Sequence, residues 1–137
     1  MYNDSFDCCT SSSLINIHSA VCNNSFFRKE IWTGENLQIT VMSIPPGGEI
    51  GLELHSHLDQ FIRIEHGIAS VYTGKTKQTV KFVGCANPDY AVVIPAGTWH
   101  NLINEQSTPL KVYSIYAPPQ HPVGTVHKTK FEADLAE

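Results

Sequence analysis

The chain of 137 residues has no basic run: its nine Lys and Arg are scattered, the formal net charge is −4, and no aromatics interleave with cations. Nothing in it suits a phosphate backbone, so nucleic acid is not expected as a partner. It also lacks any apolar stretch approaching the roughly 18 to 20 residues that span a bilayer, so no membrane partner is expected either. The first residues, MYNDSFDCC, have neither the positive start nor the apolar core of a secretory signal, and a cytoplasmic location is expected. The four cysteines, Cys8, Cys9, Cys22 and Cys85, show no C-x-x-C spacing and read as free thiols of a reducing compartment. A sustained helical period is missing as well. Only residues 130–136, with Phe131 and Leu135 four apart, suggest a short C-terminal helix or tail.

What the chain does have is enough apolar content, 42%, for one domain with one core. Residues 1–25 are rich in Asn, Ser, Thr and Cys and carry no Lys or Arg. They read as a flexible polar leader, with an edge strand at 14–17. From residue 26 to 137 the texture changes to short β-branched and aromatic stretches punctuated by Gly, Pro, Asn and Asp. Strands are expected at 31–32, 37–44, 51–57, 61–65, 68–73, 79–82, 91–94, 101–104 and 110–116, which is the pattern of an all-β sandwich or barrel. Pro45-Pro46-Gly47-Gly48 and Pro95-Ala96-Gly97 cannot continue a ladder and mark strand ends.

One stretch, LHSHLDQFIRIEHG at 54–67, raises a question of chemistry. On a strand His55 and His57 would share one face about 7 Å apart, close enough for two imidazoles to meet one ion. His100 follows the rigid turn Pro95-Ala96-Gly97 and could supply a third. Spacing alone leaves open whether these histidines converge or are ordinary strand residues. Alternation along 60–65 puts Gln60, Ile62 and Ile64 inward, and Arg63 and Glu65 outward. His121 and His127 lie in Pro/Gly-rich chain beyond the last strand and are read as packing the tail or sitting at a pocket mouth. His18 and His66 read as surface residues, and Trp99 as a residue that fixes the turn before His100.

The run from Gly48 through His55-Ser56-His57, then Gln60 and Gly67, resembles the first motif of the cupin superfamily: a glycine, H-x-H, an acidic residue and a closing glycine. Residues 95–104 resemble the second, P-x-G-x-x-H-x-x-x-N. The C-terminal run, with Tyr113, Tyr116 and His121, is similar to small single-domain cupins described as like mannose-6-phosphate isomerase. The resemblance implies a double-stranded β-helix (jelly-roll) barrel over residues 26–137 and one divalent metal ion (Zn, Fe, Ni or Mn). It implies His55, His57 and His100 as metal ligands, with Gln60 where relatives carry glutamate and a homodimer as the assembly. Two departures stand out: only two residues separate His57 from Gln60 where three or four are usual, and Asp89 replaces the glycine that opens the second motif. Glu53 and Asp59 are alternatives to Gln60, Glu53 sharing the parity of His55 and His57. Glu53, Tyr113, Tyr116 and His121 are candidate pocket residues.

A site of three histidines and a neutral amide would leave the metal's charge uncompensated and attract anions. The function implied is action on a small polar, anionic or sugar-like metabolite by isomerase- or dioxygenase-type chemistry. The alternative is a non-catalytic cupin that binds or senses such a molecule. The fold itself does not choose between them.

Overall fold

A computed structural model describes residues 11–137 as an all-β barrel of the double-stranded β-helix type. In chain order come α1 (Ile17–Cys22), β1 (Arg28–Thr33), β2 (Gln38–Ile44), β3 (Asp59–His66), β4 (Ala69–Gly74), a 3-10 turn (Lys77–Thr79), β5 (Lys81–Ala86), β6 (Ala91–Ile94), β7 (Trp99–Ile103), β8 (Leu110–Ala117), β9 (Val126–His127) and α2 (Lys130–Leu135). A six-stranded sheet runs β6-β3-β8-β2-β1-β9 and a three-stranded sheet runs β5-β4-β7.

Strand register explains where a polar site can sit inside this barrel. Residues paired across neighbouring strands project to the same face, so the inward positions form rows. One row is Gln38, Tyr116, Gln60 and Ile94; the next is Thr40, Ser114, Ile62 and Val92; beyond them come Met42, Val112 and Ile64, then Ile44 and Leu110. The rows grade from polar to apolar along the strands. The apolar end, joined by Leu102 and Val71 from the second sheet, is the hydrophobic core. The polar end holds buried Gln38, Thr40, Gln60, Ser114 and His100.

Three expectations about local structure are corrected. Residues 14–17 form no edge strand; Ile17 opens α1, whose first turn is capped by the Asn16 side chain accepting from the Ser19 amide. This helix docks on the six-stranded sheet, where Val21 is fully buried and Lys111 Nζ donates to the Cys22 and Asn24 carbonyls. Burying that valine contributes about 1.5 kcal/mol or more, enough to hold six residues that would not stay helical alone. The remainder of the expected leader, residues 1–10, lies outside the described residues. Second, 51–57 is not a continuous strand, a point that decides the site geometry below. Third, Thr79 closes the 3-10 turn and β5 starts at Lys81 rather than at 79. The C-terminal helix is present as expected, capped by Thr129.

Candidate metal centre

The segment after the Pro45-Pro46 turn runs antiparallel to β7 without becoming a full strand. Gly47 N donates to Asn104 O, Ile50 N to Leu102 O, and Glu53 and His100 exchange both backbone hydrogen bonds at 3.0 Å. Gly51, at φ +106, supports this irregular path, and its amide donates to Asn101 Oδ1. Glu53 and His100 are thus directly opposite one another. His55, two residues on, lies on the same face as Glu53 and its carbonyl accepts from Gly97 N, which ties the loop to the turn before β7.

Three donor groups meet here. Within the described residues, Glu53, His55 and His100 form a group whose ligand atoms all lie within 4.8 Å of one another. Glu53 Oε1 accepts from His55 Nε2 at 3.2 Å and lies 3.5 Å from His100 Nε2. The two imidazole centroids are 5.4 Å apart.

The tautomer of His100 sharpens the chemistry. Its Nδ1 lies 2.9 Å from Thr98 O, an acceptor, so Nδ1 carries the proton and donates. In the neutral ring Nε2 then holds a lone pair. That atom is buried without a hydrogen-bond partner and faces the Glu53 carboxylate, two acceptors 3.5 Å apart. Such an arrangement calls for a positive charge between them, either a second proton on the imidazole or a metal ion. Gln60 supplies a further buried acceptor: its Nε2 donates to Ser114 Oγ at 3.3 Å while its Oε1 has no partner.

Charge in the site is set by one residue that the sequence reading overlooked. Arg28, almost fully buried on β1, places Nη2 4.0 Å from Glu53 Oε2 and donates from Nη1 to His127 Nδ1 at 3.3 Å. Burial pushes the Glu53 carboxyl up. The imidazoles of His100 and His55 beside it and the charge of Arg28 outweigh it and hold Glu53 at about 2. A signal for Arg28 was available: Arg28 and Glu30 alternate about Lys29, so two opposite charges fall on one strand face, an arrangement with little use unless that face is a polar interior.

A cavity of about 550 Å³ opens beside the cluster, lined by Glu53, His55, Trp99 and His121 among others, with Lys130, Asp134 and Glu137 from the C-terminal segment at its edge. Tyr116 is buried edge-on to the His55 ring at 5.8 Å and to the His121 ring at 5.2 Å. Burial raises the Tyr116 hydroxyl above its ordinary value. Burial, then the charge of Arg28, lowers His121 to about 4, so its imidazole is neutral at physiological pH.

The chain matches the family described as Cupin domain over residues 40–116. The chain belongs to the cupin family. It is 52% identical over 124 residues to the uncharacterized protein YrkC of Bacillus subtilis (strain 168), covering 90% of this chain and 67% of that protein. It is 40% identical over 114 residues to the uncharacterized protein L612 of Acanthamoeba polyphaga mimivirus, covering 82% and 69%. Among solved structures, BH2720 from Bacillus halodurans superposes with a TM-score of 0.90 at 50% identity, covering 91% of this chain and 95% of that one.

Against the cupin motifs, the sequence-level assignment of the candidate residues changes in one respect. His57 is exposed and stands outside the cluster, because the chain bends at Ser56 and His57 and the alternation of a strand does not reach it. Glu53, not His57, is the residue brought to His55 and His100. The odd spacing already carried this message: with Glu53-Leu54-His55 in the place of H-x-H, four residues precede Gln60 and six more precede Gly67. The motif then fits without a gap. Asp59 is exposed and caps the turn instead, accepting from Ala96 N. Tyr113 points to the outer face of the sheet, 6.4 Å from Phe61, and is not a pocket residue, whereas Tyr116 and His121 are at the site. His18 also does more than expected, pairing with Glu65 at 2.6 Å.

Proposed function

We propose that this cupin binds one divalent metal ion through Glu53, His55 and His100, with Gln60 Oε1 as a further oxygen donor, and uses it to act on a small polar, sugar-like metabolite. The observation that carries the reading is the buried, partnerless Nε2 of His100 facing the ionised Glu53 carboxylate. Two imidazoles, a carboxylate and an amide oxygen suit zinc, iron, nickel or manganese. When bound, the ion would supply a Lewis acid for a substrate oxygen.

Moving the carboxylate from the usual fourth place to the first alters the electrostatic expectation. Glu53 brings one negative charge to the ion, so the uncompensated charge expected of a His-His-His-Gln set is halved and the argument for an anionic substrate weakens. The cavity is instead rich in neutral and mixed polar groups, which favours hydroxyl-bearing ligands. Thr98 O fixes the His100 ring, and the neighbouring imidazoles with Arg28 keep Glu53 ionised, so both offer lone pairs to an ion, while His55 Nε2 would give up the proton it shares with Glu53. A homodimer in the cytoplasm and kinship with the mannose-6-phosphate isomerase-like cupins belong to the same reading; size-exclusion chromatography with light scattering tests the dimer.

Elemental analysis of untagged protein is the direct test. About one equivalent of a transition metal per chain, lost in His100→Ala, is expected; a content below about 0.1 in wild type, with no thermal stabilisation on adding metals, overturns it. Product formation that disappears with the metal would identify an enzyme, and saturable binding without product a sensor or carrier.

A further inference from the structure

The strands alone do not complete this cavity. After β8 the chain turns back across the polar end of the barrel, and residues 120–124 are clamped there by buried side chains. Gln38 Oε1 accepts from the amides of Gln120 at 3.1 Å and His121 at 2.8 Å, and Gln38 Nε2 donates to His121 O at 2.7 Å. Both backbone groups of His121 are therefore held by one fully buried side chain. Gln38 is itself fixed by donating to Thr33 Oγ1, which donates to Glu30 Oε2, while Glu30 Oε1 accepts from Gly124 N.

Burying a carboxylate, an amide and a hydroxyl costs free energy that an apolar strand end would avoid. What this relay secures is the position of one short segment. That segment delivers His121 to the wall of the metal-site cavity with its ring edge-on to Tyr116 and its Nε2 buried without a partner. A clamped imidazole with an unsatisfied nitrogen, in a cavity shared with Glu53, His55 and Trp99, is built to meet a ligand atom.

We infer that His121 is a ligand-recognition residue of this site: its Nε2 hydrogen-bonds a hydroxyl of a polyhydroxylated ligand, a sugar or sugar acid, whose other oxygens reach the metal. This rests on the metal reading above and extends it to a substrate class. A neutral imidazole can serve a hydroxyl as donor or acceptor, and it adds no charge that would select an anion. The rim agrees: Lys130 is paired with Asp134 at 2.9 Å, and Glu137 adds a negative charge.

The test uses three six-carbon acids on the cobalt-loaded protein: hexanoate, 2-hydroxyhexanoate and gluconate. The first two share the metal-binding head with or without its chelating hydroxyl, and only gluconate carries the distal hydroxyls. Calorimetric titration of wild type should rank gluconate about tenfold or more above 2-hydroxyhexanoate, the worth of one well-made buried hydrogen bond. In His121→Leu that preference should fall below about threefold, with cobalt affinity and thermal unfolding unchanged, and His121→Gln should restore part of it. An equal ranking of the two hydroxy acids in wild type, or a preference that survives in His121→Leu, overturns the inference. Cobalt affinity falling in His121→Leu in step with gluconate binding also overturns it, by making His121 a metal ligand. Failure of wild type to bind cobalt sinks the metal reading instead. Calorimetry on the metal-free protein then decides His121 alone: gluconate binding that His121→Leu abolishes supports it, and no binding or unaltered binding overturns it.

Discussion

Replacing Glu53 by Gln removes the negative charge while keeping the shape, and it leaves the buried Arg28 guanidinium without its counter-charge 4.0 Å away. The Glu53 carboxyl is held at about 2 against an ordinary 4.5. At about 1.4 kcal/mol per unit, the difference amounts to about 3 kcal/mol of preference for the ionised form, an upper bound because the side chain retains some solvent contact. A group whose pKa is depressed on folding stabilises the protein above its unfolded value and loses that contribution as pH falls through the folded one. Chelator-treated Glu53→Gln should therefore be up to about 3 kcal/mol less stable in urea than wild type near neutral pH, and the gap should close between pH 4.5 and about 2. Cobalt affinity should fall by more than about 100-fold, because a direct ligand is lost. His57→Ala provides the contrast: at an exposed position outside the cluster it should alter stability by less than about 0.5 kcal/mol and metal affinity by less than about twofold. If His57→Ala weakens cobalt binding more than Glu53→Gln does, the site is built on the H-x-H pair after all and the shifted motif is wrong.

Two other perturbations probe the supporting structure. His121 is lowered from 6.5 to about 4 chiefly by burial, so wild type should lose stability as pH falls through that interval, by at most about 3 kcal/mol. His127 shifts in the same direction and remains in both proteins, so the comparison is with His121→Leu, whose urea-derived stability should decline less steeply; parallel curves would contradict the buried neutral imidazole. Gly67, which closes the first motif, sits at φ +90, and a Cβ there would lie 2.8 Å from Pro109 O. Gly67→Ala should cost about 2 kcal/mol or more in equilibrium unfolding, and a cost under about 0.5 would mean that this turn relaxes freely.

The barrel was legible because its information is local. Prolines and glycines at 45–48 and 95–97 must end strands, and alternation along 60–65 sorts Gln60, Ile62 and Ile64 from Arg63 whatever the strand pairs with. The second motif was legible for the same reason, its rigid turn delivering His100 directly. The leader was misread at 14–17 because six residues have no helical preference strong enough to show; docking of Val21 on the sheet makes that helix.

For the site, composition and spacing determined that Glu53, His55 and His57 shared a parity and that Gln60 stood inward, but on an ideal strand parity cannot rank three residues. Tertiary structure ranked them. Backbone pairing of Glu53 with His100 fixes the first two beside the third, and the bend at Ser56 and His57 turns the last away. Arg28 and His121 come from β1 and from beyond β8, joined to the cluster only by strand order and by the Gln38 clamp. The sequence by itself determined a cupin barrel with a polar end. Which donors meet there depends on contacts between residues tens of positions apart, and only the folded chain, through its hydrogen-bond register and buried charges, selects them.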